Sequence, residues 1–332
     1  MNNSIGITRK DVELAYRFLL GRPPENEAAY EYGLSAGSVE MLRGWLLDST
    51  EFARALQRDM PNSLRRWILA EVRRREAPEQ RPACIVFLHI MKTAGTSLRK
   101  RLEELLPGER LWRREEQGRP GDFSVEQLLP YRCFMGHFNF ADAWNVPGPR
   151  RIFTVLREPR ARAISLYHFL ARHRLEVIET RKLRTADIAR SSSLLEFLRH
   201  PDPEIRASLQ NHITCTIAGD YRPIGANVYT TPWEGRSGAI GGTALLRLAL
   251  ENLRKIDCVI SAERLEHDRP RLMAAIGLPD PGPFPRENTR DLVNDILDSR
   301  PDAEVSQEAQ TELYRLTELD RMLVRLANID IR

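Results

Sequence analysis

A short polar loop between an apolar strand and an amphipathic helix restricts the fold more than any other segment. Residues 84–87 are apolar throughout and predict a buried strand, while leucines recur on one face of residues 98–106 and predict a helix. The loop that joins them, residues 88–98, reads LHIMKTAGTSL. A helix begins with free N–H groups and the positive end of its dipole, so lysine and hydroxyl side chains here predict a phosphate or sulfate site. The candidate ligands are Lys92, Thr93, Ala94, Gly95, Thr96 and Ser97.

The order of residues in this loop differs from that of the common ATP- and GTP-binding loops. In the Walker A motif the lysine follows the second glycine, and an earlier glycine opens the turn. Here Lys92 precedes Gly95, and no glycine stands upstream in the loop. The sequence therefore argues against a Walker A site, although a nucleotide with 5′-phosphate groups remains a suitable ligand.

A second strand and helix carry another candidate anion ligand. Residues 151–156, RIFTVL, predict a buried strand, and Pro159 favours the start of a helix that continues over residues 161–172. Arg157 lies between them and has a planar guanidinium suited to a phosphate, and Ser165 can donate from the helix. An isolated arginine would more often form a surface salt bridge, so this interpretation depends on the two segments occurring together.

A histidine follows a third predicted strand. Residues 131–135 are followed by a glycine and His137, and histidine titrates near neutral pH, which suits a general base. The alternative is a partly buried histidine that is hydrogen-bonded to a backbone carbonyl. His89, in the first loop, is expected to pack and to be hydrogen-bonded. His168, close to Ser165 on the predicted helix, either approaches the ligand or is structural.

Together the three segments resemble the carbohydrate sulfotransferases, the group that includes the heparan sulfate 2-O-sulfotransferases. These enzymes use 3′-phosphoadenosine 5′-phosphosulfate (PAPS). The first loop resembles the family's FLHIPKTAGTSL, with Met91 in place of proline. Residues 154–159 and 165–169 resemble its TVLRDP and SLYHF segments, with Glu158 in place of aspartate. The resemblance covers about residues 84–330, and His137 matches the histidine of the family's G-H-[VI] or G-H-F segment.

This resemblance implies a fold and a nucleotide site. The fold would be an α/β, P-loop-like, doubly wound parallel sheet flanked by helices. Lys92 would stabilise charge on the departing 5′-phosphate, which the rest of the loop would cradle. Arg157 and Ser165 would select the 3′-phosphate.

The same resemblance implies a reaction. His137 would deprotonate a hydroxyl of a carbohydrate or glycoconjugate, to which the sulfuryl group of PAPS is transferred. Met135 stands where some relatives carry a second histidine, which argues against a two-histidine mechanism. The scheme requires no metal. Two alternatives stay open, namely a nucleotide-dependent kinase with a similar sheet and a non-catalytic protein that keeps a nucleotide or glycan pocket.

Composition narrows the range of partners. The chain has 332 residues and is 42% hydrophobic, as is ordinary for a soluble globular protein. Its net charge of +4 is too small to suggest nucleic-acid binding. The four cysteines are not closely spaced, so we expect free, buried thiols in a reducing compartment. Residues 1–30 contain no signal peptide, and no apolar run reaches about 18 residues, so we expect a cytoplasmic protein without a membrane span.

The sequence divides near residue 80. Residues 1–76 predict a small all-α domain, residues 77–82 a linker, and residues 83–332 the sulfotransferase domain. Within the first domain, residues 16–24 and 48–52 resemble a bacterial helical domain related to phycobilisome linkers. That resemblance implies a protein or glycan contact, and the alternative is a structural extension.

Later segments predict the surroundings of the acceptor. Residues 210–214 loosely match a stretch that lies near the acceptor in relatives, and residues 219–243 predict a long loop rich in glycine and proline. This loop is a candidate acceptor lid, in which Trp233 either stacks on a sugar or packs within the loop. Residues 303–326 predict one long helix with a leucine seam.

Overall fold

The computed structural model describes residues 7–20, 22–47, 49, 51, 82–231, 238–284 and 294–327. Contacts within the chain group residues 1–66 and 67–332 into two compact units. The predicted boundary at residue 76 and the linker residues 77–81 lie outside the described residues, so the predicted domain limits stay a prediction.

Three helices form the described part of the first unit: α1 (Arg9–Leu20), α2 (Glu27–Leu34) and α3 (Val39–Leu47). Thr8 caps α1 reciprocally, because its N–H donates to Asp11 Oδ2 at 2.9 Å while its hydroxyl accepts from the Asp11 N–H at 3.3 Å. Val12 and Leu42 are fully buried between the helices. A side chain at Gly33 would place its Cβ 2.5 Å from Val12, so this glycine permits α2 to approach α1.

The second unit is built on a five-stranded sheet with the order β2-β3-β1-β4-β8, in which all neighbours are parallel. The strands of this sheet are β1 (Cys84–Leu88), β2 (Leu111–Arg113), β3 (Cys133–Gly136), β4 (Arg150–Leu156) and β8 (Cys258–Ser261). A separate antiparallel sheet contains β5 (Arg222–Pro223), β6 (Val228–Thr230) and β7 (Ile240–Gly241).

Helices connect and cover these strands. The helices up to β5 are α4 (Gly95–Leu105), α5 (Arg114–Gln117), α6 (Val125–Leu128), α7 (Phe140–Trp144), α8 (Pro159–Ala171), α9 (Leu175–Arg181), α10 (Arg184–Ser191), α11 (Leu194–Arg199), α12 (Pro203–Leu209) and α13 (His212–Ala218), with a 3₁₀ turn at Pro120–Asp122. The later helices are α14 (Gly242–Leu253), α15 (Leu265–Ile276), α16 (Gln307–Leu316) and α17 (Glu318–Leu326).

Each face of the main sheet has its own core. Along β1, Val86 and Leu88 enter one core, which α7, α13, α14 and α17 complete, whereas Ile85 and Phe87 enter the other, which α4 and α15 complete. Burial on both faces explains why the strand sequences are apolar runs without polar alternation. The expected α/β class with a parallel sheet flanked by helices is therefore confirmed.

Two predicted segments differ from the structure. The predicted long loop, residues 219–243, contains the small sheet of β5, β6 and β7, while residues 232–237, including Trp233, lie outside the described residues. The single helix predicted over residues 303–326 is wrong, since α16 and α17 meet at a break. At this break the buried hydroxyl of Thr317 donates to the Leu313 carbonyl at 2.7 Å, and the Leu319 N–H donates to Asn211 Oδ1 at 2.9 Å. A polar capping contact from a distant segment thus ends one helix and starts the next.

Candidate functional site

Predicted ligand residues meet at the carboxyl edge of the main sheet. The chain leaves β1 toward β2 and β3 on one side and leaves β4 toward β8 on the other, so the neighbouring ends of β1 and β4 form a topological switch point. Crevices at such points are the usual ligand sites of open α/β sheets. A pocket of about 490 Å³ lies here and is lined by all the predicted residues, namely Lys92, Thr93, Ala94, Gly95, Thr96, Ser97, His137, Arg157 and Ser165.

An unusual backbone shapes the loop after β1. Lys92 has φ 69° and Ala94 has φ 62°, both in the left-handed region that non-glycine residues seldom adopt. A left-handed residue followed by a helical one turns successive N–H groups toward a common point, which favours an anion. The Thr93 hydroxyl donates to the Ile90 carbonyl at 2.8 Å and fixes the turn. Strain of this kind, which costs about 1–3 kcal/mol at each residue, is typical of ligand-binding loops.

Gly95 is required because His89 packs directly on it. A Cβ at this position would lie 1.7 Å from Nε2 of His89, so any larger residue displaces the imidazole. The His89 ring stacks on Phe87 at 5.0 Å and on His137 at 4.4 Å between centroids. Burial holds the pKa of His89 well below its usual value, and the neighbouring His137 lowers it further. His89 is thus a neutral packing residue, as its position in the sequence predicted.

His137 is held in one orientation and one tautomer. Its Nδ1 lies 3.1 Å from the carbonyl oxygen of His89, and a carbonyl only accepts, so Nδ1 carries the proton and Nε2 keeps its lone pair. The backbone N–H of His137 donates to Glu115 Oε1 at 3.1 Å. His137 is exposed at the pocket wall, but protein atoms surround its ring, and this burial lowers its pKa. The charge of Glu115 and the His89 carbonyl oppose the shift. His137 is therefore suited to accept a proton near neutral pH.

Lys92 is the most perturbed cation of the pocket. Its ammonium lies 4.0 Å from the centre of the Phe169 ring, in contact with the π face. Burial, followed by the charges of Arg157 and Arg172, lowers the pKa of Lys92 to about 8. Three cations so close together destabilise one another unless an anion lies between them. The electrostatics of the pocket therefore favour a multiply charged anion.

Arg157 connects the two predicted phosphate segments. Its Nη1 donates to the Lys92 carbonyl at 3.3 Å, and its Nε lies 3.9 Å from Glu263 Oε1. Ser165 lines the same pocket from α8. His168 instead lies 3.8 Å from Asp302 and is not among the residues that line this pocket, which favours a structural role.

A second, smaller pocket adjoins the first. It has a volume of about 290 Å³ and shares His89, Met91 and His137 with the larger pocket. Its wall also includes Arg119, which donates to Asp220 at 2.7 Å in a largely buried ion pair. His137 thus lies on the boundary between two cavities. The sequence did not predict Arg119 and Asp220, because their pairing spans about a hundred residues.

His212 presents a second imidazole to the smaller pocket. Its Nδ1 lies 3.0 Å from the Ala207 carbonyl, so this nitrogen also carries the proton and Nε2 is an acceptor. Burial, with the nearby Arg162, lowers the pKa of His212 to about 3 and keeps the ring neutral. Of residues 210–214, which loosely matched a segment near the acceptor in relatives, His212 lines the pocket beside His137, and the acceptor role stays a prediction.

No protein-family model matches this chain, and no curated protein is significantly similar to it. Within the residues described here, no cluster of three or more His, Cys, Asp or Glu side chains is arranged to hold a metal ion. The same residues contain no helix that is both long and apolar enough to span a membrane. All four cysteines are free and buried, as expected from their spacing.

Proposed function

We propose that this protein is a PAPS-dependent sulfotransferase that acts on a hydroxyl of a carbohydrate or glycoconjugate. One observation carries the proposal: His137, with a free Nε2, lies between a cationic pocket that contains the Lys92 loop and a smaller pocket beside it. A group-transfer enzyme needs this arrangement, because a donor and an acceptor must meet at one base.

The larger pocket suits the donor nucleotide. Lys92 and Arg157 line it and supply positive charge, the charge of Arg172 acts on Lys92 from outside the lining, and the helix N-terminus at Gly95 adds a dipole. The resemblance of these segments to carbohydrate sulfotransferases, with their P-loop-like fold, assigns the Lys92 loop to the 5′-phosphosulfate. It assigns Arg157 and Ser165 to the 3′-phosphate. A volume of about 490 Å³ lies within the usual range of nucleotide-sized sites.

Chemistry in this site would need little from the protein beyond charge and position. His137 Nε2 would take the proton of the acceptor hydroxyl as its oxygen bonds to sulfur. Lys92 would stabilise the negative charge that develops on the departing phosphate as the sulfur–oxygen bond breaks. Such positioning and charge stabilisation account for most of the rate enhancement in related phosphoryl transfer.

The smaller pocket suits a sugar hydroxyl. Two neutral imidazoles, His137 and His212, line it, each with its lone pair on Nε2, and hydroxyl groups are suitable hydrogen-bond donors to such an atom. We also propose that the first unit contacts a protein or glycan and that the protein is cytoplasmic.

The test is turnover of PAPS by the purified protein. Release of adenosine 3′,5′-bisphosphate is measured by liquid chromatography across a panel of glycans and glycolipids, with Lys92→Ala as the inactive control. We expect release that depends on the acceptor and disappears in the control. Release that is equal in both proteins, or absent with every acceptor, would favour the non-catalytic alternative.

The kinase alternative is tested by ligand stabilisation. The proposal expects adenosine 3′,5′-bisphosphate without metal to raise the melting temperature, since ligands that bind only the folded state stabilise it. If only ATP with magnesium raises it, the kinase alternative replaces the proposal.

A further inference from the structure

We propose that a cavity beside β8 binds an anionic amphiphile, meaning an alkyl or prenyl chain that carries a phosphate, and that its occupancy is transmitted to Arg157. The cavity has a volume of about 610 Å³ and lies between β8, α14, α15 and the end of α17. It shares no lining residue with the two pockets described above. It is therefore a separate site.

Apolar side chains form much of the cavity wall. Among the lining residues, Leu253 and Ile260 are buried, and Leu250 and Val259 are half-buried. Leu326, which also lines the cavity, is 56% exposed and so adds apolar surface that is open to water. Removing this surface from water is favourable, so the wall favours a ligand with a hydrocarbon portion.

Arginines give the same cavity an excess of positive charge. Arg254, Arg264 and Arg271 line it, against a single carboxylate from Asp268. Asp268 is already engaged, since it lies 3.2 Å from His267 Nδ1 and 3.6 Å from Arg271. Arg271 is anchored by donating to the Val259 carbonyl at 2.9 Å. Charge complementarity therefore selects an anionic head group, for which the arginine fork is well suited.

Arg254 gives the clearest indication of a ligand. It is exposed at the end of α14, where its backbone N–H caps the helix, while its guanidinium forms no hydrogen bond or ion pair with another described residue. Arg271 and Arg264, by contrast, already contact protein groups. An arginine beside apolar walls, with its donors unused, completes a site for a chain that ends in a phosphate.

A short segment connects this cavity with the nucleotide pocket. Ser261 and Arg264 line the cavity, whereas the residues between them, Ala262 and Glu263, line the nucleotide pocket. The Ser261 hydroxyl donates to Glu263 Oε2 at 2.7 Å, and Glu263 Oε1 lies 3.9 Å from Arg157 Nε. A ligand that engages Ser261 or Arg264 changes the position of Glu263 and so the charge balance at Arg157. This second step rests on the proposed function.

The site itself is tested by calorimetric titration of the full chain with dodecyl phosphate below its micelle concentration. We expect saturable binding that weakens about tenfold in Arg254→Glu, because an attractive charge becomes repulsive. Arg247→Glu, the same charge reversal on the same helix but outside the cavity, is the matched control and should bind as the wild type does. Equal affinity in Arg254→Glu, or an equal loss in Arg247→Glu, would overturn the assignment.

Two further titrations identify the ligand class. Inorganic phosphate lacks the chain and dodecyl maltoside lacks the charge, so both are expected to bind at least about tenfold more weakly than dodecyl phosphate. Inorganic phosphate that binds as tightly would replace the amphiphile with a simple anion. Dodecyl maltoside that binds as tightly would show that the arginines are not involved.

The connection to Arg157 is tested separately. We expect saturating dodecyl phosphate to change the affinity for adenosine 3′,5′-bisphosphate by about threefold or more, and Ser261→Ala to abolish that change. An unchanged affinity in the wild type would remove the connection. If the bisphosphate does not bind at all, the proposed function fails, whereas binding of dodecyl phosphate alone still decides the cavity assignment.

Discussion

The Nδ1 atom of His137 lies 3.1 Å from the carbonyl oxygen of His89, and the two rings stack at 4.4 Å. The residues are far apart in the sequence but follow the neighbouring strands β3 and β1. His89 therefore sets both the tautomer and the orientation of His137. His89 acts through its backbone carbonyl and through ring packing, and this contact leaves the lone pair of His137 on Nε2.

Replacement of His137 tests its role as the base. We expect His137→Ala to lower kcat by about 10²–10⁴, the usual contribution of general base catalysis, and to leave the affinity for adenosine 3′,5′-bisphosphate nearly unchanged. Steady-state kinetics and calorimetry measure the two quantities. His168→Ala, on α8 and outside the pocket, serves as the control. Full activity in His137→Ala would exclude His137 as the base.

The pH profile of the wild type provides an independent test of the same group. Because the pKa of His137 is held below 6.5, its lone pair stays available until the pH falls below that value. We therefore expect kcat/KM to fall on the acidic side with a midpoint below 6.5. An acidic midpoint above 6.5 would contradict the environment described for His137.

Replacement of Gly95 tests the packing of His89 against the loop. Gly95→Ala places a Cβ at the position of the His89 ring, so we expect the free energy of unfolding to fall by about 1–3 kcal/mol and activity to be lost. Gly241→Ala, also at a helix start but with no atom within 4 Å of the added Cβ, should have a small effect. Urea unfolding compares the two variants. An equal effect in both would show that His89 is not the cause.

Protonation of Lys92 should accompany nucleotide binding. Its pKa of about 8 rises when an anion neutralises Arg157 and Arg172, so at pH 8, where the free ammonium is about half protonated, binding takes up about half a proton. We expect the affinity for adenosine 3′,5′-bisphosphate to fall as the pH rises above 8. Calorimetry in buffers of different ionisation enthalpy measures the proton uptake, which should disappear in Lys92→Met. Uptake that persists in this variant would assign the proton to another group.

Arg157 should contribute to the affinity for adenosine 3′,5′-bisphosphate and not to the stability of the folded protein. We expect Arg157→Ala to weaken binding of adenosine 3′,5′-bisphosphate about ten- to a hundredfold, as a lost charge-assisted contact does, with little change in melting temperature. Arg160→Ala removes a nearby arginine that contacts Glu158 and Tyr314, and it should leave binding unchanged. Equal losses in the two variants would indicate a general effect of charge.

Asn211 should stabilise the junction of α16 and α17. It has φ 48°, accepts from the Leu319 N–H at 2.9 Å and donates to the Tyr229 hydroxyl at 2.7 Å. We expect Asn211→Ala to lower the free energy of unfolding by about 2–3 kcal/mol, since it loses a cap and keeps a left-handed backbone. Asn211→Gly should recover part of this loss, because glycine adopts positive φ readily. A glycine variant no more stable than the alanine variant would remove the backbone explanation.

Local sequence was sufficient for the three central strands of the main sheet and for the loops that follow them, but not for the edge strand β2. Parallel strands buried on both faces appear as apolar runs, and their loops carry the polar residues, so β1, β3 and β4 and the segments after them could be predicted. It was insufficient for residues 303–326, where the leucine seam continues across the break at Thr317. That break depends on Asn211, which no local pattern connects to α17.

Local residue patterns were enough to predict side chains that line the larger pocket, because strand–loop–helix units place their polar loops at the carboxyl ends of parallel strands. The packing of distant segments was needed to show how the His89 carbonyl holds His137, that a second pocket with His212 lies beside it, and that Ser261 contacts Glu263, which lies near Arg157. These relationships join atoms from separate strands and helices. Strand order and packing set such distances, whereas local residue patterns do not encode them.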